Sequence, residues 1–132
     1  MFSFVMLPPQ TPQPMLDVIG MPLVKVPAFD GDSAFAYVKK QVDFGPRNPG
    51  SAGHKACGDW MVAFLQPLAD TVIQQIGTVT AFNGQKLPLR NIIASWAPEK
   101  KDRILLVAHW DTRPFADKDT ERKNEPILGA ND

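Results

Sequence analysis

An α/β fold, built as a mixed β-sheet flanked by helices, is predicted for this 132-residue chain by three local patterns. Arg103 to Ala108 is an apolar block of Ile, Leu, Leu, Val and Ala, which suits a parallel strand buried on both faces between layers of helix. Thr71 to Phe82 is rich in Val, Ile and Thr, and Asn83-Gly84 is a strong short hairpin signal that returns the chain as a second strand over Gln85 to Ala97. Ahead of these lie two segments with helical spacing. The predicted order is therefore helix, helix, strand, strand, strand, with no internal repeat.

Taken in order, Leu7 to Pro14 (LPPQTPQP) packs four prolines among glutamines, which blocks helix and disfavours sheet. Met15 to Pro27 is apolar but broken by Gly20, Pro22 and Pro27, and is expected to be extended. Residues 1–28 thus read as a Pro-rich N-terminal arm and residues 29–132 as the domain proper. Asp32 or Ser33 is expected to cap a first helix whose Phe35, Val38 and Val42 share one face, and which ends before Gly45 and Pro46. A loop with two prolines and two glycines, Gly45 to Gly50, leads to Ser51 at an N-cap position. The second helix carries the stripe Cys57, Met61, Phe64, Leu65 and Leu68, and Pro67 should kink or end it. Arg47 is expected to fix the loop by bonding carbonyls, and His54 to be a partly exposed helix residue. Pro98 to Asp102 forms a charged turn into the central strand.

Composition excludes several classes. Fourteen basic residues balance fourteen acidic ones, so no net field steers the chain toward nucleic acid or a membrane surface. No apolar run approaches the roughly 18 residues of a membrane span, and Met1 to Leu7 lacks the basic lead and cleavage site of a signal peptide. Cys57 is the only cysteine, which forbids an internal disulfide, and it reads as a small buried core residue.

The chemistry concentrates where the predicted third strand ends. His109 and Asp111 are two residues apart, so strand geometry sends both to one side at the carboxyl end, where open α/β sheets place their ligands, and sends Trp110 the other way. A charged loop follows, closing in Gly129, Ala130, Asn131 and Asp132, and a glycine-led turn is expected to bring Asp132 back over His109. Imidazole and carboxylate donors suit zinc. Asp132 is the natural first ligand, while Asp111 better fits an acid that orients the histidine. The plainer alternative is that His109 and Asp111 satisfy only each other. Trp110 and Phe115 are candidates for the mouth of a substrate pocket, set against a purely core role. Asp117, Asp119 and Glu121 read as a solvated loop face, with Arg113 pairing one of them.

HWDTRPFAD (His109 to Asp117) followed by PILGAND (Pro126 to Asp132) resembles the first metal-binding region of the M28 zinc aminopeptidase family, most of all its bacterial-type glutaminyl-peptide cyclotransferase branch. FGPRNPGSAGHKACGDWM (Phe44 to Met61) and RNIIASW (Arg90 to Trp96) are similar to the same family's upstream segments. The resemblance implies a zinc exopeptidase (phosphorylase/hydrolase-like) fold, truncated after the first metal-binding loop, with Zn2+ as cofactor. It makes Asp132 a zinc ligand in either branch. His109 is a ligand only where two zincs are held; with one zinc, His109 and Asp111 remain a hydrogen-bonded pair beside the site.

In that family the general base and a late histidine ligand lie beyond the aspartate that matches Asp132, so no catalytic base is identified here and the chain alone is expected to be inactive. The implied substrate is a peptide with an N-terminal glutamine, cyclised to pyroglutamate with release of ammonia. An aminopeptidase acting on other free N-termini is the alternative. A noncatalytic remnant or binding module is the third reading. The resemblance also implies an extracytoplasmic location.

Overall fold

The computed structural model describes residues 26–130. Most of the Pro-rich arm and the terminal Asn131 and Asp132 lie outside the described residues.

The first helix, α1 (Gly31–Val42), is capped by Asp30 rather than by Asp32 or Ser33. The Asp30 carboxylate accepts the Ser33 backbone N–H at 3.1 Å and the Ser33 hydroxyl at 2.6 Å, so Ser33 serves as donor in the first turn. Those two bonds hold the Asp30 carboxyl below its ordinary range. The helix ends before Gly45, which adopts φ 75°. Its expected apolar face is not covered: Phe35 is 70% exposed and no residue of α1 is buried. The reason lies in which side meets a neighbour. Tyr37 packs on Phe64 of the next helix with ring centroids 5.1 Å apart, which turns Phe35 outward.

The second helix, α2 (Ala52–Leu65), follows its expected caps closely. Ser51 Oγ accepts from the His54 backbone N–H at 3.0 Å, and the same hydroxyl donates to the Pro46 carbonyl. Gln66 closes the helix just before Pro67. Gly53 is required here: a Cβ would fall 2.5 Å from the Pro46 carbonyl oxygen and 2.6 Å from that of Phe44, because the incoming loop lies across the first turn. The buried positions are His54, Cys57, Gly58 and Val62. The predicted stripe is thus rotated. Cys57 is buried as expected, but Met61, Phe64 and Leu65 are half-buried, and Leu68 lies past the helix and is exposed.

β1 (Thr71–Thr80) and β2 (Lys86–Ser95) form the expected antiparallel hairpin, in register from Thr71 opposite Ser95 to Thr80 opposite Lys86. Gly84 takes φ 84° in the turn, and Asn83 Oδ1 accepts from the Gln85 backbone N–H. Two contacts tie the base of the hairpin to the connection that follows α2. The Trp96 indole N–H donates to the Leu68 carbonyl at 2.6 Å, and the Ala97 N–H to the Asp70 carboxylate at 2.7 Å. Arg90 reaches across from β2 to Asp59 of α2 at 2.8 Å while its other nitrogens hold Gln74 of β1.

The expected central strand over Arg103 to Ala108 does not form as a strand. Among the described residues the sheet has two strands, β1 and β2, and Arg103 to Ala108 belongs to neither ladder. A slot of about 560 Å³ separates Leu105 to Ala108 from β2. Without a hydrogen-bonded neighbour the apolar run stays open: Ile104, Leu105, Leu106 and Val107 are each more than four-fifths exposed. An apolar run of this composition needs cover on both faces to pair as a central strand, and nothing among the described residues supplies that cover. No described helix is long and apolar enough to cross a membrane.

A contiguous exposed apolar run of this kind drives association. The isolated 132-residue chain is expected to self-associate or to lack fixed tertiary packing, seen as a weak near-UV circular dichroism signal and a concentration-dependent size. Leu106→Glu should shift it toward monomer. A sharp cooperative melt from a wild-type monomer contradicts this account. In the complete protein, Ser51→Ala should cost about 1 kcal/mol of stability through loss of the cap, measured by urea titration.

Candidate functional site

The site is assembled around Arg47, in the loop between α1 and α2. Its side chain is buried, and the planar guanidinium supplies forked donors that never lose their charge. Nε donates to the Trp110 carbonyl at 2.9 Å, one terminal nitrogen donates to the carbonyls of Gln41 and Leu128 at 2.8 Å each, and the other donates to the Gly129 carbonyl at 2.8 Å. The backbone joins in: the Arg47 N–H donates to Thr112 Oγ1 at 2.8 Å, and the Thr112 N–H donates to the Arg47 carbonyl. One side chain therefore gathers the end of α1, the segment 110–112 and the segment 128–129. The expectation that Arg47 bonds carbonyls is met. Its reach to residues 81 and 82 positions away is not legible from its own loop.

Gly129 is the second fixed point. It adopts φ 61°, and a Cβ there would overlap Thr112 Cγ2 and approach the Arg47 guanidinium to 3.2 Å. Only glycine lets this backbone lie against the pair. The closure creates a hollow of about 400 Å³ whose wall includes Arg47, His109, Asp111, Gly129 and Ala130. His109 and Asp111 thus face the same space as the segment that leads to Asp132. The His109 Nδ1 lies 3.1 Å from the Asp111 carbonyl and 3.5 Å from its carboxylate. Asp132 itself lies outside the described residues, and among the described residues no group of three His, Cys, Asp or Glu comes together to hold a metal.

Trp110 packs onto α2 and also borders the hollow and the slot that His109 and Asp111 line. It stacks on His54 with centroids 4.3 Å apart and planes 10° from parallel. His54 is accordingly buried, where the sequence reading had it partly exposed; the approach of segment 110–112 covers it. Burial pushes its pKa below the ordinary 6.5, with the Arg90 charge acting the same way and Asp111 acting against both. Gly58 makes room for this contact, since a Cβ would sit 2.7 Å from the Arg90 guanidinium and 3.0 Å from the Trp110 ring. Phe115 is 56% exposed on the following loop. In that loop Arg113 pairs with Asp117 at 2.8 Å, and Asp119 Oδ1 accepts the backbone N–H groups of Glu121 and Arg122, which lowers its pKa. Cys57 is fully buried and burial pushes its thiol pKa up, the environment of an unreactive thiol. Thr112, buried and bonded to Arg47 in both directions, is the residue that sequence reasoning missed.

No family model and no curated protein matches the chain. Solved structures do. A glutaminyl cyclase from Porphyromonas gingivalis is 50% identical, with 79% of this chain and 37% of that one covered at a TM-score of 0.76. A Bacteroides thetaiotaomicron glutaminyl cyclase bound to N-acetylhistamine is 51% identical over 82% of this chain and 38% of its own, with a TM-score of 0.78. A zinc-dependent exopeptidase from Parabacteroides distasonis is 49% identical over 82% and 38% of the two chains, with a TM-score of 0.77. This chain belongs to the family that these bacterial glutaminyl cyclases and zinc-dependent exopeptidases form. It spans about 38% of the length of the relatives it matches.

The His54 environment has a consequence for pH. Its folded pKa is depressed, so the folded state binds fewer protons than the unfolded chain as pH falls below about 6.5, and stability declines over that window. Stability should be flat above the unfolded value. In the complete protein, His54→Phe, which keeps the stack on Trp110, should remove that part of the acid sensitivity, read as a smaller fall in Tm between pH 7.5 and 5 than in wild type. An identical fall in both proteins rules out His54 as its source.

Proposed function

We propose that this chain supplies the N-terminal part of a zinc-dependent glutaminyl-peptide cyclotransferase, which converts an N-terminal glutamine to pyroglutamate with release of ammonia. The observation that carries the reading is the shared hollow: Arg47 draws Leu128 and Gly129 toward the strand-end pair His109 and Asp111, and residues Gly129 and Ala130 form its wall together with that pair. The roughly 50% identity to glutaminyl cyclases supports the same reading. On this reading residues 29–132 belong to the catalytic domain, with a mixed α/β exopeptidase sheet completed by later chain, and residues 1–28 form an arm. An extracytoplasmic location is proposed with it, as the resemblance of HWDTRPFAD and PILGAND implies.

The donor set fits zinc, which accepts imidazole nitrogen and carboxylate oxygen. Asp132 is assigned as ligand. His109 is a second ligand if two metals are held, and otherwise pairs with Asp111 beside a single metal. When bound, the metal supplies Lewis acidity toward the carbonyl of the substrate's side-chain amide. The chain's own residues hold and orient. Asp111 fixes the His109 ring through Nδ1, a contact that sets which ring nitrogen faces the hollow. Trp110, stacked on His54, forms a rigid wall, and Phe115 is assigned to the rim. A proton-transfer group is assigned to later chain, so this segment by itself is expected to be inactive.

A second reading, a di-zinc aminopeptidase, is favoured by the exopeptidase relative and by the placement of His109 on the hollow. A noncatalytic remnant remains the reading if the metal is not taken up. Ammonia release from a glutaminyl peptide and amine release from an aminoacyl anilide, measured side by side on the complete protein, separate these. The expected result is ammonia without anilide hydrolysis. Hydrolysis without cyclisation would reverse the assignment. Asp132→Ala should lower the rate at least about 100-fold and abolish zinc retention after dialysis, in line with loss of a metal ligand; full zinc content and full activity in that variant would remove Asp132 from the site.

A further inference from the structure

We infer that Arg47 is a positioning residue for the metal-binding loop, setting how the segment ending at Gly129 sits against His109 and Asp111. The inference rests on the metal site proposed above and adds a residue that neither binds metal nor touches substrate.

Three observations converge. The guanidinium is buried, and the carbonyls it grips come from three separated stretches, at Gln41, Trp110 and Leu128 with Gly129. The two halves of the site are therefore joined through one charged plane, since segment 110–112 and segment 128–129 are both bonded to it. The grip is also directional: Nε and one terminal nitrogen serve Trp110 and Gly129, and the remaining nitrogen is shared between Gln41 and Leu128. A lysine ammonium in the same place has three donors on one atom and cannot span these acceptors together. Finally, Gly129 and Thr112 are shaped to the contact. Gly129 takes a positive φ and leaves no space for a Cβ, while Thr112 bonds the Arg47 backbone in both directions. A carbonyl clamp whose only task was to stabilise its own loop would need no partners 81 and 82 residues away.

The test uses the complete protein, loaded with zinc and titrated against a chromophoric chelator. Arg47→Lys should weaken zinc binding roughly 10–100-fold, the range seen when a supporting hydrogen-bond partner of a metal site is lost. It should also speed deuterium uptake in the peptide covering residues 126–132. Val62→Ala, a change to a buried residue of α2 that bonds nothing in the clamp, should lower Tm while leaving zinc affinity within about twofold, which separates positioning from general destabilisation. Thr112→Val and Gly129→Ala keep the guanidinium and disturb its fit, so they give the same readout if Arg47→Lys does not fold. Guanidinium ion added to Arg47→Ala should recover part of the zinc affinity.

Zinc affinity and uptake in Arg47→Lys equal to wild type would overturn the positioning role and leave the metal site standing. A wild-type protein that takes up no zinc would overturn the metal site and this role with it.

Discussion

A buried guanidinium that bonds four backbone carbonyls is the constraint on which the described structure depends. Arg47 carries a permanent charge into a site with little water, and a charge so placed is tolerated only when its donors are met. Here they are met by Gln41, Trp110, Leu128 and Gly129. The exchange is mutual for Trp110, Leu128 and Gly129, whose carbonyls lie in irregular chain with no helix or ladder to pair them, while Gln41 presents a carbonyl from the last turn of α1. Each would cost about 1–3 kcal/mol if left buried and unsatisfied. The charge and the loops therefore stabilise each other, and neither is stable in this arrangement alone.

Around that clamp the apolar contribution is small. Cys57 and Val62 are the buried apolar side chains among the described residues, and the aromatic chain Tyr37, Phe64, Trp60 and Phe44 joins the two helices at a half-exposed seam. The hairpin is attached by polar contacts at its middle, through Arg90 to Asp59, and at its base, through Trp96 to the Leu68 carbonyl. Polar bridges thus set where the elements sit, while a large apolar surface over Ile104 to Val107 stays uncovered. Position is defined more firmly than stability. That balance is consistent with a chain that spans well under half the length of its solved relatives.

The same clamp relates fold to chemistry. Trp110 stacks on His54 and anchors the segment to α2, and its neighbours His109 and Asp111 line the hollow with it. Burial of His54 is the cost of that anchor, visible in its lowered pKa. A rigid wall on one side and an oriented imidazole on the other give the arrangement a metal site requires, with ligands approached from two loops held in register.

Several features were legible in the sequence because they rest on neighbours along the chain. Ser51 as a cap, Pro67 as a stop and Asn83-Gly84 as a turn all follow from local backbone rules, as does the burial of Cys57 on a helix. The similarity carried by HWDTRP and GAND identifies the family from sequence. The rest is nonlocal. Capping by Asp30 instead of Asp32, the outward turn of Phe35, the burial of His54 and the open state of Arg103 to Ala108 depend on which surface meets which neighbour. The role of Thr112 could not be read from its own surroundings, since its partner lies 65 residues earlier. Local dihedral preferences and apolar spacing settled the helices and the hairpin from the sequence by itself. Only the tertiary structure decided how the two halves of the site meet, because hydrogen bonds between distant loops leave no periodic trace along the chain.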